Sequence, residues 1–367
     1  MKRFLLAILL LTLSAYAKDE LSKGKSMLYS ARFEEAEKIF QKEKAKSPDS
    51  AAPSLYLTAA ALGKLVMSGE EPALTESIEK SIEECCEISL KALKGEPKPE
   101  DYLYAGVCFL LRSSLEARNE NISGSLIWAK RALAQIRKAK EFEETKTDAA
   151  ILDAAFNCVN ASTPWPLTVC VGLFFLPDDP GECLASIEEL IGQGSRFEEE
   201  MRIFLIWEYC RRGYPRGASS HLKTLKKTFP DSPFVDIMSI RTSLSSGNYK
   251  GALSAATNLY ARCSKRKAWR GLMPDAAFLA GAAYLTGGYT LGAESWLELA
   301  AKDGKNKPAV QAAAQLLLGQ CADQRGEREE ALRRYALVHV IKGANPLLKS
   351  YAAKLQNKAS DPKNVIY

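Results

Sequence analysis

The sequence is poor in histidine and lacks the motifs of common catalytic and cofactor sites. Only His221 and His339 occur in its 367 residues, and neither belongs to a motif that nucleophilic catalysis uses. We expect His339 to pack within a helix and His221 to be solvated. Phosphate-binding loops and dinucleotide-binding glycine motifs are absent. The sequence therefore predicts no catalytic residue, no cofactor and no enzymatic activity.

Carboxylates are abundant, but their arrangement does not favour acid/base catalysis. They occur as adjacent runs at 83–84, 188–189 and 198–200. Runs of this kind are typical of the solvated face of an amphipathic helix, so we expect these carboxylates to be exposed.

Cysteine is too sparse for a small disulfide scaffold, with nine residues and no Cys-x-x-Cys pair. Adjacent Cys85 and Cys86 point to different faces of a helix, so no metal site is predicted. Most of the cysteines have apolar neighbours and are predicted to be small buried core residues. Because their number is odd, one thiol stays free or pairs outside the chain. The sequence leaves open whether any disulfide forms.

Long hydrophobic runs are confined to the N-terminus. A positive start at residues 1–3 precedes an apolar run at 4–13 and the small-x-small triplet Ala15, Tyr16, Ala17. This pattern predicts a signal peptide over 1–17, and about ten apolar residues are too few to span a bilayer. An uncleaved anchoring N-terminus is the alternative. We expect an exported bacterial protein without a transmembrane segment after cleavage, periplasmic in the simplest case and secreted in the alternative.

Strand-like alternation is absent, whereas apolar residues recur at three- and four-residue steps along most of the chain. Proline and glycine divide this pattern into helices of roughly twelve to eighteen residues. An all-α fold is predicted.

A repeat runs through these helices. A glycine precedes an alanine by 12 residues at Gly24 and Ala36, at Gly281 and Ala293, and at Gly319 and Ala331. We expect the glycine to mark the closest approach of two helices, with the alanine facing it and a large side chain four residues later filling the gap to the next pair. The predicted repeat-packing residues are Gly24, Ala36, Phe40, Pro48, Ala218, Pro230, Gly281, Ala293, Gly319, Ala331 and Tyr335.

These residues resemble the tetratricopeptide repeat (TPR), which has a Leu-Gly, an alanine, an aromatic and a terminal proline over about 34 residues. Leu318, Gly319, Ala331 and Tyr335 form the clearest unit. The resemblance is good over 20–50 and 196–342 and degenerate over 51–195. It implies a right-handed superhelical solenoid of antiparallel helix pairs, about seven in number, with a capping helix at 347–357. An unrelated helical bundle is the alternative.

The predicted organisation follows from the repeats and the charges. A signal peptide (1–17) precedes acidic, degenerate repeats (18–195), basic repeats (196–342), and a capping helix and tail (343–367). An apolar insertion at 163–180 is expected to be a buried wedge, with an exposed interaction patch as the alternative. Residues 18–210 contain 23 Lys and Arg against 33 Asp and Glu, and residues 211–367 contain 25 against 11. Such a split favours an acidic partner, although it also serves solubility alone.

The function predicted from these features is a non-catalytic scaffold or protein-interaction module in the bacterial cell envelope. A peptide, helix or acidic partner would bind in the concave groove, and nucleic acid is not expected. The predicted partner contacts are Trp207, Arg211, Arg241, Gln320 and Gln324. For Trp207, packing between helices is the alternative. The alternative functions are a cell-wall enzyme of the lytic transglycosylase type and a self-assembling structural protein. A homo-oligomer is compatible with the scaffold and with the structural protein.

Overall fold

The computed structural model describes residues 20–69, 72–119, 121–161 and 180–359. All regular elements within these ranges are helices, seventeen α-helices and two short 3-10 helices. None of the helices in this part of the chain combines the length and hydrophobicity needed to cross a lipid bilayer. The predicted signal peptide at 1–17 and the apolar insertion at 163–180, apart from Pro180, lie outside the described residues.

Most of the described helices are joined by short turns; residues 162–179, between the seventh and eighth helices, lie outside the described residues. In the first half they are α1 Glu20–Tyr29, α2 Phe33–Lys46, α3 Ala51–Ser68, α4 Pro72–Ala92, α5 Pro99–Arg118, α6 Ile122–Ala139, α7 Lys146–Ala161 and α8 Pro180–Leu190. In the second half they are α9 Glu198–Arg211, α10 Pro215–Thr228, α11 Pro233–Ser245, α12 Tyr249–Lys265, α13 Met273–Thr286, α14 Thr290–Asp303, α15 Pro308–Gln324, α16 Arg328–Val340 and α17 Pro346–Asn357.

Many neighbouring helices pack as pairs: α1 with α2, α5 with α6 and α7 with α8 in the first half, and α11 with α12, α13 with α14 and α15 with α16 in the second. In the second half, each helix from α10 onward contacts the next, and the first helices α11, α13, α15 and α17 also contact one another in order. These contacts define six pairs among the described residues, with α17 packed on the last. The all-α class with TPR-like helix pairs is confirmed.

A glycine on the first helix of a pair accommodates a large side chain from the second. A Cβ on Gly24 would overlap the Phe40 ring, and one on Gly319 would overlap the Tyr335 ring. The alanine was expected to face the glycine and the large side chain to fill the gap to the next pair; the structure shows that the large side chain lies against the glycine as well. Phe40 also stacks on Tyr56 of the next pair, with ring centroids 5.0 Å apart. One aromatic therefore closes its own pair and contacts the next.

The third glycine of the set, Gly281, behaves in the same way. A Cβ there would lie 2.6 Å from Cγ of Leu297 and 3.2 Å from the carbonyl oxygen of Ala293. Ala36, Ala218, Ala293 and Ala331 are completely buried. The small alanine lets the second helix come close enough for the following large side chain to reach the glycine.

Helix ends in the second half follow local sequence signals. The turns inside four successive pairs each carry a left-handed glycine, at Gly213, Gly247, Gly288 and Gly326. Only glycine adopts this conformation at little cost, so it ends the first helix and reverses the chain. Pro48 and Pro230 each lie just after the end of a second helix. Because proline lacks a backbone N–H, these positions suit the turn to the next pair.

The chain divides into two compact units. The first contains residues 1–63 and 73–205, and the second contains 64–72 and 206–367. The division falls inside α9, a little after the predicted boundary at 195–196. The end of α3 therefore belongs to the second unit.

Two disulfides join helices within the first unit, Cys85–Cys108 and Cys158–Cys183. The remaining described cysteines, Cys86, Cys210, Cys263 and Cys321, are free thiols. All eight are buried except Cys210, which is half-buried. The described cysteines are therefore mostly core residues, as predicted, and four of them also cross-link the core.

The substitution Gly319→Leu tests the packing of the last pair. We expect it to lower the free energy of unfolding by about 1–3 kcal/mol, because a side chain there must displace the fully buried Tyr335 ring. Urea unfolding gives the size of the effect, and hydrogen exchange over 308–357 gives its location. Gly95→Leu is the control, since a Cβ at this exposed glycine meets nothing closer than 3.9 Å. Equal stability of the two variants would contradict the proposed packing.

Candidate functional site

A short segment, residues 195–200, lies against the first helices of the first unit. It follows α8 through two left-handed glycines, Gly192 and Gly194, and runs into the first turn of α9. Side chains of α1, α5 and α7 bind it. We call this group the buried network: Lys25, Tyr29, Glu100, Tyr104, Asp148, Ser195, Arg196, Glu199 and Glu200.

Arg196 is the centre of one half of the buried network. Its guanidinium lies 2.9 Å from Glu100 of α5 and 3.2 Å from Asp148 of α7. Its backbone N–H and the Ser195 hydroxyl both donate to Asp148 Oδ1, at 2.6 and 2.9 Å. Burial raises the pKa of Asp148, although the bonds from Arg196 and Ser195 oppose that rise. Arg196 and Asp148 are thus held together with little contact with water, whereas Glu100 is about half exposed.

The other half of the buried network connects the segment to α1. Lys25 Nζ donates to the Arg196 carbonyl at 3.0 Å and to Glu199 at 2.6 Å. The Tyr29 hydroxyl donates to Glu200, which is completely buried. Burial raises the pKa of Tyr29 first of all, with the neighbouring carboxylates adding to it. Tyr29 is therefore a neutral donor at physiological pH.

These contacts correct the expectation for the run 198–200. It was predicted to be a solvated face, but Glu200 is buried and Glu199 is held by Lys25. Segment 195–200 thus engages these side chains of α1, α5 and α7 in internal contacts. The sequence offers no signal for this, since Lys25 is more than 170 positions from its partners, and Asp148 is 47 and 48 positions from Ser195 and Arg196.

The predicted partner contacts on α9 are occupied by internal contacts. Arg211 donates to Glu208 at 3.0 and 2.6 Å, and Arg212 donates to the same carboxylate at 2.9 Å. Glu208 is buried. The Arg211 guanidinium also lies 5.9 Å from the ring of half-buried Trp207. Arg211 therefore neutralises an internal carboxylate, which its position in the sequence did not reveal.

The other three predicted contacts are also partly or fully internal. Gln320 is completely buried, so the structure places it in the core and not on a partner-binding surface. Gln324 is half-buried and accepts a hydrogen bond from Thr290 at 3.2 Å. Arg241 is half-buried beside Cys210. Burial thus excludes Gln320 alone, whereas the Arg211 side chain is 44% exposed and the partner-binding role of the other four residues stays a prediction.

Comparisons with known proteins give distant structural likenesses. Yeast Tom70 is 14% identical, with 94% of this chain and 64% of that chain covered and a TM-score of 0.41. The human IFIT1 dimer with m7Gppp-AAAA is 15% identical, with 97% of this chain and 86% of that chain covered and a TM-score of 0.46. The TPR domain of P58(IPK) is 15% identical, with 93% of this chain and 88% of that chain covered and a TM-score of 0.24.

This chain spans only about 64% of the length of the Tom70 chain. No protein-family model matches the sequence, and no curated protein matches it. Likenesses this distant assign no ligand. The candidate site therefore rests on this chain's own residues.

Exposed basic residues concentrate at one edge of the second unit, where the second helix of a pair leads to the next first helix. We call this the basic edge: Lys226, Lys227, Lys265, Arg266, Lys267, Arg270, Lys302, Lys305 and Lys342, all exposed. Cations at helix C-termini stabilise the helix dipole, which accounts for Lys226, Lys227, Lys265 and Lys302. The others lie beyond the ends of the α-helices, with Lys267, Arg270 and Lys305 in the short 3-10 helices that follow them.

The densest part of this edge is the basic turn, defined as Lys265, Arg266, Lys267 and Arg270. It leads from α12 into the 3-10 helix Lys267–Leu272 and surrounds the buried Trp269. The Arg266 guanidinium lies 4.2 Å from the Trp269 ring centroid. None of the four forms an ion pair within the described part of the chain. Neighbouring Arg262, in contrast, is paired with Asp236 at 2.5 Å.

A half-open cleft of about 320 Å³ adjoins the basic turn within the second unit. Its lining includes Arg270 of the basic turn and Asp303, Asn306 and Lys307 of the following inter-helix turn. Met273 and Pro274 supply apolar surface inside it. The combination of exposed cations and an adjoining concave surface makes this the candidate binding site.

Both histidine predictions were wrong. His221 is buried and stacks on Tyr209, with ring centroids 6.2 Å apart, whereas His339 is exposed. The described residues bring together no group of three His, Cys, Asp or Glu side chains suited to a metal ion. The absence of a metal site stays a prediction.

Thiol reactivity distinguishes buried from accessible cysteines. Burial raises the pKa of Cys86 and Cys321 to about 12 and that of Cys263 to about 11. At pH 8 only about 10⁻⁴ to 10⁻³ of each is thiolate. In a Cys170→Ser background, which removes a cysteine outside the described residues, we expect half-buried Cys210 to react first with iodoacetamide. Peptide mass spectrometry of the native, unreduced protein measures this, and faster labelling of Cys263 would contradict it.

Proposed function

We propose that this protein is a non-catalytic helical-repeat scaffold that binds an acidic segment of a partner protein on its second unit. The basic turn carries the proposal: it presents four exposed cations without acidic partners in the described part of the chain, beside a cleft. Such a surface attracts an anionic partner over about one screening length and accelerates encounter.

The surface of α1, α5 and α7 that holds segment 195–200 is a weaker candidate for binding a partner. There, segment 195–200 already pairs with Lys25 and with carboxylates of α5 and α7. Of the predicted groove residues, Arg211 already neutralises Glu208 and Gln320 is buried. Binding at either place would require existing internal contacts to break.

Charge reversal of the basic turn tests the proposal. Lys265→Glu, Arg266→Glu, Lys267→Glu and Arg270→Glu are combined, and binding of a fluorescent glutamate-rich peptide is followed by anisotropy. We expect the affinity to fall at least about tenfold, and wild-type affinity to fall between about 50 and 500 mM salt.

The control carries the same change in net charge at exposed residues elsewhere on the second unit. It combines Arg216→Glu, Lys223→Glu, Lys250→Glu and Lys354→Glu. Binding that falls equally in both variants would show attraction to net charge only and would refute a defined site. Helical circular dichroism of both variants verifies that the fold is intact.

We further propose that the chain works in an oxidising compartment after export, in the simplest case the bacterial periplasm. The two disulfides of the first unit support this, since stable disulfides are rare in reducing cytosol. The N-terminal pattern at 1–17 supports it independently. Expression with residues 1–17 in a bacterial host, followed by N-terminal sequencing of the exported fraction, should give a mature chain beginning at Lys18. An uncleaved, cytoplasmic chain would contradict export.

A further inference from the structure

The cleft beside the basic turn differs in charge from its surroundings. Two cations and one anion line it: Arg270, Lys307 and Asp303. Lys307 is already paired with Asp275 at 2.6 Å and is mostly buried. Arg270 and Asp303 then balance each other, so the cleft itself offers no excess charge to a carboxylate.

The surface around the cleft, by contrast, is strongly basic. Lys265, Arg266 and Lys267 precede the lining residue Arg270 in the chain, and Lys302 and Lys305 lie next to the lining residues Asp303 and Asn306, all exposed. Carboxylates of a partner would therefore be attracted to the rim of the cleft and not to its interior.

The interior suits an uncharged side chain. Met273 and buried Pro274 form apolar surface, and Asn306 and Ser68 provide polar groups at the side. Ser68 belongs to the segment 64–72 of the second unit. A volume of about 320 Å³ is at the lower limit for small-ligand pockets and is suited to one large side chain. Anchor side chains in such pockets, surrounded by polar contacts, dominate the affinity of many interfaces.

From this contrast we propose that the cleft receives one large uncharged side chain, aromatic or aliphatic, from an acidic segment whose carboxylates lie on the basic turn. The inference rests on the proposed function and specifies its partner: an acidic stretch interrupted by a single apolar residue. A purely acidic segment would use the rim alone and bind more weakly.

Peptides of equal charge test this directly. Two fluorescent peptides carry four glutamates on each side of a central phenylalanine or alanine, and their affinities for the full chain are compared by anisotropy. We expect the phenylalanine peptide to bind about tenfold more tightly, because burying that side chain removes apolar surface from water. Asn306→Trp, which fills the cleft from an exposed position, should abolish the difference and preserve binding of the alanine peptide. Ser264→Trp, exposed and outside the cleft, is the control.

The outcomes separate this inference from the function on which it rests. Equal affinity of the two peptides, with both lost on reversal of the basic turn, would overturn the cleft as an anchor pocket and leave the acidic-segment scaffold in place. Failure of both peptides to bind the wild type, with binding only to anionic lipid vesicles, would overturn both. A difference that persists in Asn306→Trp would place the anchor elsewhere and refute this assignment.

Discussion

Replacing Arg196 with alanine should lower the free energy of unfolding by about 3–5 kcal/mol, the largest effect expected from any single substitution in the first unit. Removing the guanidinium leaves Asp148 buried without its opposite charge and leaves Glu100 without a partner. Removing one member of a buried ion pair is this costly because the remaining charge stays desolvated. Urea unfolding measures the loss, and hydrogen exchange should show increased opening of α7 and of the start of α9.

The control for this substitution is Arg32→Ala. Arg32 and its partner Glu35 are both about half exposed, so water screens their ion pair and its loss should affect stability far less. If Arg196→Ala unfolds no more easily than Arg32→Ala, the buried network does not stabilise the first unit. In the Arg196→Ala background, the further substitution Asp148→Ala should recover part of the lost free energy of unfolding, because it removes the carboxylate that has lost its opposite charge.

The second large effect is expected at Gly271, in the turn beside the cleft. A Cβ there would overlap the carbonyl oxygen of Met67 and lie 2.5 Å from its carbonyl carbon. Both atoms are backbone, so no side-chain rotation relieves the clash. We expect Gly271→Ala to cost about 3 kcal/mol or more and to detach the segment 64–69 from the turn, which hydrogen exchange over that segment would detect.

Gly304→Ala provides the matched control in the neighbouring turn. Gly304 is buried and Gly271 is half-buried, yet the nearest heavy atom to a Cβ on Gly304, the Gln311 nitrogen, is 3.4 Å away. A change within about 0.5 kcal/mol is expected for this variant. Comparable stability of the Gly271 and Gly304 variants would show that the end of α3 is not held by the close backbone approach at Gly271.

The repeat architecture could be predicted from the sequence because it depends on local spacing. A glycine and an alanine 12 residues apart describe contacts inside one helix pair, which spans few residues. The identity of the residue facing the glycine was missed, since spacing alone does not distinguish Ala331 from Tyr335 one turn later. Residues four positions apart lie on the same face of a helix, so Ala331 and Tyr335 are neighbours there. Only the packing of the two helices decides which of these side chains contacts the glycine.

The buried network could not be predicted, because its members are brought together by the order of many helices. Glu200 has the same neighbours in sequence as a solvent-exposed glutamate, and its burial depends on Tyr29 and Lys25 in α1. The predicted exposures of the two histidines were wrong for a related reason. His221 follows two serines yet packs on Tyr209, and His339 lies among apolar residues yet points to solvent.

The net charge of each half of the chain could be predicted from the sequence, but the pairing of individual charged residues could not. The basic excess after residue 210 is evident from counting, but the count does not show that Arg211 and Arg262 are neutralised by Glu208 and Asp236. The basic turn groups four exposed basic residues that form no ion pair within the described ranges, and others, such as Arg216 and Lys250, lie elsewhere in the second unit. Counting charges therefore does not show which of them the packing leaves exposed and unpaired.

The contacts between α1 and segment 195–200 also constrain how the chain matures during synthesis. The bonded atoms of Lys25 and Tyr29 and their partners belong to residues 171 to 175 positions apart. The ribosome must therefore release most of the first unit before its earliest helix meets its final neighbour, whereas each local pair can form as soon as it emerges. Until residue 200 emerges, Lys25 and Tyr29 stay without their carboxylate partners, and a nascent chain stopped before segment 195–200 should remain open and sensitive to proteases.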